Sequence, residues 1–545
     1  MRAFAELLDR LSLTASRNAK LTLVRDFLRA TPDPDRGWAL AALTGELTFP
    51  AAKPNFIRKA VEERMDPQLF WWSYDYVGDL AETVALVWPR RPGANREPEL
   101  SEVVEALRTA SRAEVQRLIE GWLDAMPEPR ERWALLKLMT GGLRVGLSAR
   151  LAKQAAADIP GGDGGGVPVA EVEEIWHALH PPYEDLFAWL EGRSEKPSAE
   201  NPGRFRPAML AQAIDEAVDF AKLDPADYAA EWKWDGIRVQ AVNEAGVRRL
   251  YTRTGDDISP TFPDVLDALR DEGVVDGELL VVRDGRVAGF ADLQQRLNRK
   301  SVDARLMAAH PAAIRAYDLL AEGAEDLRTL PFAERRARLE AFVARQASPR
   351  IDLSPLQPFE SWPQLAVLRA DPPAGDPQAA EGLMLKRWDS LYEAGRPKGP
   401  WFKWKRDPFL IDAVLMYAQR GHGKRSSFYS DYTFGVWTEA EGGARALTPV
   451  GKAYFGFTDE ELKQIDKYVR DHTVERFGPV RSVRAEPHAG LVFEVAFEGL
   501  QRSGRHKSGV AMRFPRINRI RWDKPPGEAD ELATLERMLA QMEGG

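Results

Sequence analysis

The spacing of the apolar residues changes once along this chain, close to residue 200, and this change constrains the fold more than any other feature. Before it, apolar residues recur every three or four positions, as in LTLVRDFLRA and SRAEVQRLIEGWLDAM, a pattern that predicts amphipathic helices. A polar, proline-rich stretch follows from Ser194 to Pro207. Beyond it, short β-rich runs alternate with helical ones. At 545 residues, the chain is long enough for about three domains, each with its own core.

We therefore predict a multidomain protein: an all-α domain over residues 1–203, a mixed α/β domain over 204–407 and a β-barrel domain over 408–545. In the second domain, many connections are too short for crossover helices, which favours antiparallel pairing. In the third, one helix interrupts the strands and begins at Thr458, with Glu461 completing a capping box. Five or so strands around one helix in about 130 residues are typical of a small barrel of the OB type.

The composition excludes several kinds of chemistry. The chain has no cysteine, so disulfides, thiolate zinc sites, iron–sulfur clusters and cysteine nucleophiles are ruled out. It has 75 basic and 83 acidic side chains and a net charge of −8, so any contact with nucleic acid must come from local clusters of positive charge. The amino-terminal residues lack an apolar signal core, and no apolar run reaches the roughly 18 residues that span a bilayer. We expect a cytoplasmic protein without a membrane partner.

A lysine flanked by two tryptophans is the strongest candidate for chemistry. Lys233 lies in the run Glu231-Trp-Lys-Trp-Asp-Gly236, at the end of a predicted strand. Partial exclusion of water lowers the pKa of a lysine, because it disfavours the ammonium form. A lysine with a pKa of about 10.4 is only about 0.04% neutral at pH 7, whereas one near 8 is about 10% neutral, and the neutral amine is the nucleophile. By itself, the run fits a surface lysine between core tryptophans equally well.

Further motifs follow Lys233 in a fixed order. They are Arg253 and Gly255 in YTRTG, Asp276 to Glu278 in VVDGELLV, Tyr317 and Asp318 in AYDLL, Glu381 to Lys386 in EGLMLK, Arg396 to Lys405 in GRPKGPWFKWK, and Arg513 to Lys524 in RFPRINRIRWDK. In order and spacing they resemble the signature of the covalent nucleotidyltransferases, and most closely that of the three-domain ATP-dependent DNA ligases. LKLMTGGLRVGLS resembles the helical DNA-binding domain of that family, and RPAMLA the start of its nucleotidyltransferase domain. The resemblance spans nearly the whole chain.

This resemblance implies a reaction and a role for each matching residue. Lys233 would attack the α-phosphorus of ATP and form a lysyl-AMP; the AMP would pass to the 5′-phosphate at a nick and leave when the 3′-hydroxyl attacks. Glu231 would accept a hydrogen bond from the adenine amino group, and Tyr317 would stack on the base. Glu278 and Glu381 would hold Mg²⁺ or the ribose, since oxygens are the ligands that Mg²⁺ prefers. The implied cofactors are ATP and Mg²⁺.

Basic residues complete the implied nucleotide site. Arg238 and Arg253 match sugar- and phosphate-binding positions, where forked donors suit phosphate oxygens, and Arg396 joins them. Lys403 and Lys405 alternate along a predicted strand, so both point to one face. Their ammonium groups repel unless an anion such as a phosphate lies between them, and their field would favour loss of a proton from a nearby lysine. The alternative for this pair is a solvated lysine face.

The last domain supplies a second basic segment. In the family, this segment swings over the active site and orients the departing pyrophosphate, a role that would belong to Arg519, Arg521, Asp523 and Lys524. The alternative is a solvated basic edge strand that prevents aggregation.

A sealing enzyme must act on any sequence, so its DNA contacts would go mostly to backbone phosphates. The candidates for these contacts are Arg144, Arg296, Arg299, Lys300, Lys424 and Arg425. The implied partner is nicked double-stranded DNA, bound by a monomer, and the protein would accompany the nucleoid if its source is bacterial.

Three alternatives stay open. An NAD⁺-dependent ligase is disfavoured, since ligases of that type carry a four-cysteine zinc module and this chain has no cysteine. An RNA ligase or a GTP-using capping enzyme shares the lysine motif, but the helical domain with LRVGLS weighs against it. A non-catalytic scaffold that binds nicks would have no need to keep the full set Lys233, Glu278, Glu381, Lys403 and Lys405.

Overall fold

The computed structural model describes most of the chain. The described residues are 1–77, 79–91, 93, 96–141, 143–160, 166–198, 202–297, 299, 301–370, 380–420, 428–439, 445–477, 480–504 and 506–544. Three predicted DNA-contacting residues, Lys300, Lys424 and Arg425, lie outside them. Within the described part, no helix is long and apolar enough to cross a membrane.

The amino-terminal region is helical, as the apolar periodicity predicts. Its helices are α1 (Arg2–Leu13), α2 (Arg17–Ala30), α3 (Asp35–Thr44), α4 (Pro54–Glu62), α5 (Pro67–Val77), α6 (Leu80–Val87), α7 (Leu100–Thr109), α8 (Arg112–Ala125), α9 (Pro129–Thr140), α10 (Ala149–Ala157), α11 (Val169–Ile175) and α12 (Glu184–Leu190). Phe4, Leu8 and Leu11 show the helical spacing and are buried in one core. Polar residues set the helix starts: Ser111 forms a capping box with Glu114 at the start of α8.

The middle region contains two sheets with helices packed on them. Its elements are β1 (Gln212–Ala213), α13 (Glu216–Asp219), β2 (Tyr228–Trp234), β3 (Ile237–Glu244), β4 (Val247–Thr252), α14 (Pro263–Ala268), β5 (Gly273–Arg283), β6 (Arg286–Val287), α15 (Phe290–Gln294), α16 (Ala304–Ala309), β7 (Ala312–Glu322), β8 (Glu325–Asp326), α17 (Phe332–Gln346), β9 (Ile351–Leu353), β10 (Leu356–Gln357), α18 (Trp362–Ala370), β11 (Ala380–Arg387) and β12 (Trp401–Lys405).

One sheet has the strand order β1-β12-β11-β2-β10, and the other has β4-β3-β5-β7-β8 with β6 and β9 beside β5 and β7. The pairs are antiparallel except for β1–β12 and β7–β9, which confirms the predicted antiparallel pairing. Helix α17 packs on β7 and α18 on β11, so each sheet has one face covered by a helix. The turn between β2 and β3 carries the chain from one sheet to the other.

The carboxy-terminal region is rich in strands, as predicted. Its elements are β13 (Phe409–Arg420), β14 (Tyr429–Glu439), β15 (Arg445–Ala453), α19 (Asp459–Asp471), β16 (Thr473–Phe477), β17 (Val480–Val483), β18 (Val492–Phe497), β19 (Gly499–Arg502), β20 (Val510–Arg513), β21 (Arg516–Arg521) and α20 (Leu532–Gly544). Helix α19 begins with the predicted capping box at Thr458 and Glu461. The prediction of one helix is wrong, because α20 also forms and buries Leu535 and Leu539 against this core.

A fully buried ion pair joins β7 to α17. Arg335 donates to the two carboxylate oxygens of Asp318 at 2.8 and 3.0 Å, and neither side chain has exposed surface. Arg335 also donates to the carbonyl of Ser390 at 2.9 Å. The pair thus holds the larger sheet, its helix and the β11–β12 connection together.

Replacing Asp318 by Asn should lower the free energy of unfolding by about 3–5 kcal/mol, because it leaves the Arg335 charge buried without its counter-ion. The matched control is Asp352→Asn: Asp352 pairs with Arg315 at 2.7 Å but is 42% exposed, so its loss should cost about 1 kcal/mol or less. Urea unfolding of the two variants measures the difference in the free energy of unfolding. Equal losses would contradict the conclusion that the buried Asp318–Arg335 pair contributes more to stability than the exposed pair.

Candidate active site

A cavity of about 540 Å³ lies where the two sheets of the middle region meet. Strands β2, β11 and β12 supply one side of it, and β3, β5 and β7 the other. The residues predicted for catalysis, nucleotide binding and metal binding all line it: Glu231, Lys233, Arg238, Arg253, Glu278, Tyr317, Glu381, Arg396, Lys403 and Lys405. The predicted residues were scattered over 175 positions of sequence, and the fold brings them to one place.

Strand register explains how the lysines come together. Gly382 on β11 lies opposite Lys233 on β2 and opposite Lys405 on β12. One step along the sheet, Met384 lies opposite Glu231 and Lys403. Lys403 and Lys405 therefore share a face with Lys233, as their alternation predicts.

Two glycines allow this close packing. A Cβ at Gly236 would overlap the carbonyl oxygen of Leu279, so only glycine lets the β2–β3 turn approach β5. Gly382 has a φ of +146°, and a Cβ there would overlap the Trp404 carbonyl. The β11–β2 register shifts between Ala380 and Gly382. Glu381 is the extra residue of this bulge, which explains why its side chain turns to the cavity.

An alternating row of charges crosses the cavity. The Glu381 Oε2 atom lies 3.1 Å from Lys233 Nζ and 3.2 Å from Lys405 Nζ, and Lys405 Nζ lies 2.9 Å from Oε1 of Glu498. Burial would raise the pKa of Glu381, but the two lysines outweigh it and hold the pKa below its usual value. Burial would lower the pKa of Lys405, but Glu381 and Glu498 raise it. The predicted field of lysines around Lys233 is thus opposed by a carboxylate.

Lys403 lies in a more positive environment. Its pKa is lowered by burial and then by the charges of Arg396 and Lys405. Arg396 lies between β11 and β12 and Arg253 follows β4; both side chains are exposed at the rim of the cavity. Neither has an ion-pair partner among the described residues. This end of the cavity is the part best suited to an anion.

The opposite end of the cavity is aromatic. Lys386 Nζ lies 3.0 Å from Oε1 of Glu231, and both side chains are only 2% exposed. The same ammonium lies 4.5 Å from the centre of the Tyr317 ring and 4.7 Å from that of Trp401. Sequence reasoning placed Lys386 in a motif but gave it no role. The signal for it was its alternation with Gly382 and Met384 along β11.

Arg238 is held firmly beside this aromatic end. It donates to Asp276 at 3.0 and 2.6 Å and to the Met209 carbonyl at 2.6 Å. The hydroxyl of Tyr392 donates to Asp276 at 2.7 Å. Asp276 is buried and acts as the residue that orients Arg238, a position that sequence reasoning also left without a role. Arg238 lies 5.9 Å from the centre of the Tyr317 ring, so it lines the cavity with its planar group fixed.

Glu278 is the carboxyl group that lacks a partner. It lies opposite Arg238 on β3 and Arg315 on β7, yet it makes no hydrogen bond or ion pair with another described residue. Burial raises its pKa to about 8, although Lys233 and Arg238 oppose the shift. Glu278 and Glu381 both face the cavity and fit a divalent cation. In the described part of the chain, no cluster of three or more acidic or histidine side chains could hold a metal, so phosphates and water would have to complete the coordination, as is usual for Mg²⁺.

The predicted pyrophosphate-orienting residues lie elsewhere in this structure. Arg519 pairs with Glu494 at 3.2 Å, and Arg521 and Lys524 pair with Asp412 at 3.2 and 2.7 Å. Asp523 accepts from Arg521 at 2.9 Å. None of these four side chains is among the described residues that line the cavity.

A different part of the carboxy-terminal region contacts the cavity. Glu498 and Phe514 line it, and Arg513 forms a forked ion pair with Asp235, whose longer contact is 3.1 Å. Asp235 belongs to the same short run as Lys233. The carboxy-terminal region is thus anchored two residues from the candidate nucleophile.

The predicted DNA-contacting residues differ in exposure. Arg144, in the loop before α10, and Arg299 are exposed. The prediction for Arg296 is wrong: its side chain is 0% exposed, and it donates to Asp264 at 3.1 Å and to the Thr261 carbonyl at 2.8 Å. A guanidinium that is buried and paired in the core cannot contact a phosphate. Lys300, Lys424 and Arg425 lie outside the described residues.

Comparisons with known proteins agree with this site. Three families match the chain in order: "DNA ligase N terminus" over residues 1–157, "ATP dependent DNA ligase domain" over 208–405 and "ATP dependent DNA ligase C terminal region" over 425–524. The cavity residues from Glu231 to Lys405 fall within the second. The fold and the cavity therefore define a nucleotidyltransferase.

Relatives match over nearly the full length. A probable DNA ligase of Koribacter versatilis is 32% identical over 98% of this chain and 96% of its own, and DNA ligase 1 of Korarchaeum cryptofilum is 32% identical over 99% and 97%. A probable DNA ligase of Opitutus terrae is also 32% identical, but this chain spans 62% of its length. The solved structure Pmar-Lig_PreS3 shares the fold, with a TM-score of 0.58 over 95% of this chain and 99% of its own, at 14% identity. The chain belongs to the ATP-dependent DNA ligase family, a family of enzymes that use ATP and DNA.

Glu278→Gln should change the pH dependence of stability. Since burial raises the pKa of Glu278 from 4.5 to about 8, the folded protein keeps a proton that the unfolded chain releases. The wild type should therefore lose stability as the pH rises from about 5 to about 8, by up to about 1.4 kcal/mol per pH unit, and no further above that. The variant lacks this loss, so its advantage over the wild type should grow across the same window.

Urea unfolding between pH 5 and 9 without divalent cations measures this difference. A gap between the two proteins that stays constant over this range would contradict the buried, protonated carboxyl group.

Proposed function

We propose that the chain seals nicks in duplex DNA with ATP and Mg²⁺, through a lysyl-AMP and then an adenylated 5′-phosphate on the DNA. The observation that supports this most is the position of Lys233. Its amine faces a cavity with an aromatic end and a cationic end, and these suit the base and the phosphates of one nucleotide. One chain supplies all the described lining residues, so the proposal needs only a monomer.

In the first step, the Lys233 nitrogen attacks the α-phosphorus of ATP. A nitrogen–phosphorus bond forms and the bond to the pyrophosphate oxygen breaks. The ammonium gives up two protons to water and the phosphoramidate nitrogen keeps one hydrogen. In the present arrangement the ammonium is paired with Glu381, which opposes that loss. A triphosphate at the cationic end gives Lys405 another partner, and Mg²⁺ held by Glu278 and Glu381 would neutralise charge on the phosphates. With Mg²⁺ as its partner, Glu381 would no longer depend on the ion pair with Lys233.

The aromatic end supports the assignment of the base. Tyr317 offers a flat face for stacking, and the buried carboxylate of Glu231 can accept from an exocyclic amino group. Lys386 lies 3.0 Å from Glu231, so the buried carboxylate has a counter-ion within the pocket. The ring of Trp401 also contacts the Lys386 ammonium, at 4.7 Å from its centre. We assign Lys386 as the counter-ion that positions Glu231.

The cationic end supports the assignment of the phosphates. Lys403, Lys405, Arg253 and Arg396 surround it, and transfer of a phosphoryl group depends mainly on such positioning and charge neutralisation. Arg519, Arg521, Asp523 and Lys524 would join them only if the carboxy-terminal domain turns. We assign residues 408–545 to that domain, as an OB-type barrel, with 1–203 and 204–407 as the other two domains.

The amino-terminal domain would hold the duplex. Arg144 of this domain and Arg299 of the middle domain are exposed and able to contact backbone phosphates of any sequence. A nicked duplex is held from both sides if the helical and strand-rich domains close on it, which brings the nick to Lys233. The enzyme would then be found with the DNA of the cell.

Incubation with α-labelled ATP and Mg²⁺ should give an acid-stable labelled protein, and Lys233→Ala should abolish the label, because the variant lacks the nucleophile. Lys222→Ala is the matched control: Lys222 is an exposed lysine ahead of β2, and its loss should leave labelling unchanged. Labelling by GTP or NAD⁺ in place of ATP would show that the nucleotide assignment is wrong.

Deleting residues 1–203 should separate the two halves of the reaction. Self-adenylation should stay largely intact, since the described cavity residues all lie beyond position 209. Nick sealing should fall by at least about tenfold, because the duplex loses the phosphate contacts that the amino-terminal domain supplies. Gel assays of labelled enzyme and of ligated product measure the two activities, and equal sealing by the truncated protein would refute the role given to this domain.

A further inference from the structure

Glu498 is the acidic residue that the carboxy-terminal region places in the cavity. It lies between β18 and β19, lines the cavity and pairs with Lys405 at 2.9 Å. Its side chain is 29% exposed. The sequence predicts Asp523 as the carboxylate that this region brings to the pyrophosphate, and it does not single out Glu498.

Glu498 is part of a two-point contact between the regions. Its backbone N–H donates to the carbonyl of Arg513 at 2.9 Å, and Gly499 pairs with Arg513 across the β19–β20 ladder. Arg513 in turn forms the forked ion pair with Asp235. The β19–β20 hairpin and the residue before it therefore make two ion pairs with the middle region. Glu498 pairs with Lys405, and Arg513 pairs with Asp235.

Glu498 and a nucleotide triphosphate need the same cation. Lys405 already shares Glu381 with Lys233, and its other close partner is Glu498. A phosphate chain at this end of the cavity would contact Lys405 and would be repelled by the Glu498 carboxylate. The docked hairpin and a bound triphosphate or pyrophosphate are therefore electrostatically opposed.

We propose that Glu498 is a positioning residue that docks the carboxy-terminal domain on the cavity only while the phosphate end is free of triphosphate or pyrophosphate. This inference rests on the proposed function. Binding of ATP displaces Glu498 from Lys405 and releases the hairpin. Departure of pyrophosphate returns Lys405 to Glu498, and the domain docks for the steps on DNA. The partner of Lys405, either Glu498 or a phosphate, thus differs between the step with ATP and the steps on DNA.

The reverse of the first step offers a sensitive test. Pyrophosphate attacks the lysyl-AMP, a phosphorus–oxygen bond forms, the phosphorus–nitrogen bond breaks, and the amine takes up a proton as ATP leaves. In the wild type, pyrophosphate competes with Glu498 for Lys405. In Glu498→Gln this competitor has lost its charge, so less pyrophosphate should be needed, while docking for the DNA steps should weaken.

The experiment uses the full chain, loaded with labelled AMP. Glu498→Gln should lower the pyrophosphate concentration for half-maximal label release roughly threefold to tenfold, the effect of losing one ion pair of about 1 kcal/mol. The same variant, free of bound AMP, should seal a pre-adenylated nick more slowly by a similar factor. Glu475→Gln, an exposed carboxylate on β16 of the same region, should change neither quantity.

The opposite directions of the two effects distinguish this role from a structural one. A variant that is merely misfolded would be slower in both assays, and that result would overturn the proposal, as would no change in either. If the wild type forms no lysyl-AMP, the proposed function itself fails. If it forms the adduct and seals nicks while Glu498→Gln behaves like the wild type, only the role of Glu498 is refuted.

Discussion

The site depends on one carboxylate oxygen that lies between two ammonium groups. Lys233 and Lys405 approach within 3.1 and 3.2 Å of Glu381 Oε2, and without this oxygen their repulsion in a partly buried cavity would be severe. The bulge in β11 and the close packing at Gly382 put the oxygen there. An anion or a cation that enters the cavity would compete for these three groups, and their ion pairs would change. The proposed chemistry and the proposed docking of Glu498 both depend on this exchange of ion-pair partners.

The cavity has an aromatic end and a cationic end, as a nucleotide has a base and phosphates. At one end, Tyr317 and Trp401 surround the buried Glu231–Lys386 pair, a dry environment that suits a flat base with one polar edge. At the other end, Lys403 and Lys405 present half-buried positive charge that suits phosphates. Lys233 lies level with Lys405 across the sheet, close to the turn where the chain leaves one sheet for the other. Under the proposed function, the cavity would therefore orient a nucleotide before any domain moves.

Several features of the fold and the site could be predicted from the sequence, because they depend on local spacing. The three- and four-residue periodicity predicts the helical region, and two-residue alternation predicts that Lys403 and Lys405 share a face. Other features depend on partners far away in sequence. Arg296 looks like a basic surface residue until Asp264, from another segment, buries and neutralises it. Lys386 gains its meaning only when β11 pairs with β2 and brings it to Glu231.

The sequence by itself determined which chemical groups the chain possesses, the order of its motifs and the periodicity of its helices and strands. These depend on residue identity and on geometry within a few positions. Only the tertiary structure decided which charges neutralise one another: that Glu381 lies between two lysines, that Glu278 has no partner among the described residues, and that Glu498 and not Arg519 or Lys524 reaches the described cavity. The reason is that the strength of an ion pair depends on distance and burial, and both are set by strand register and by the placement of one domain on another.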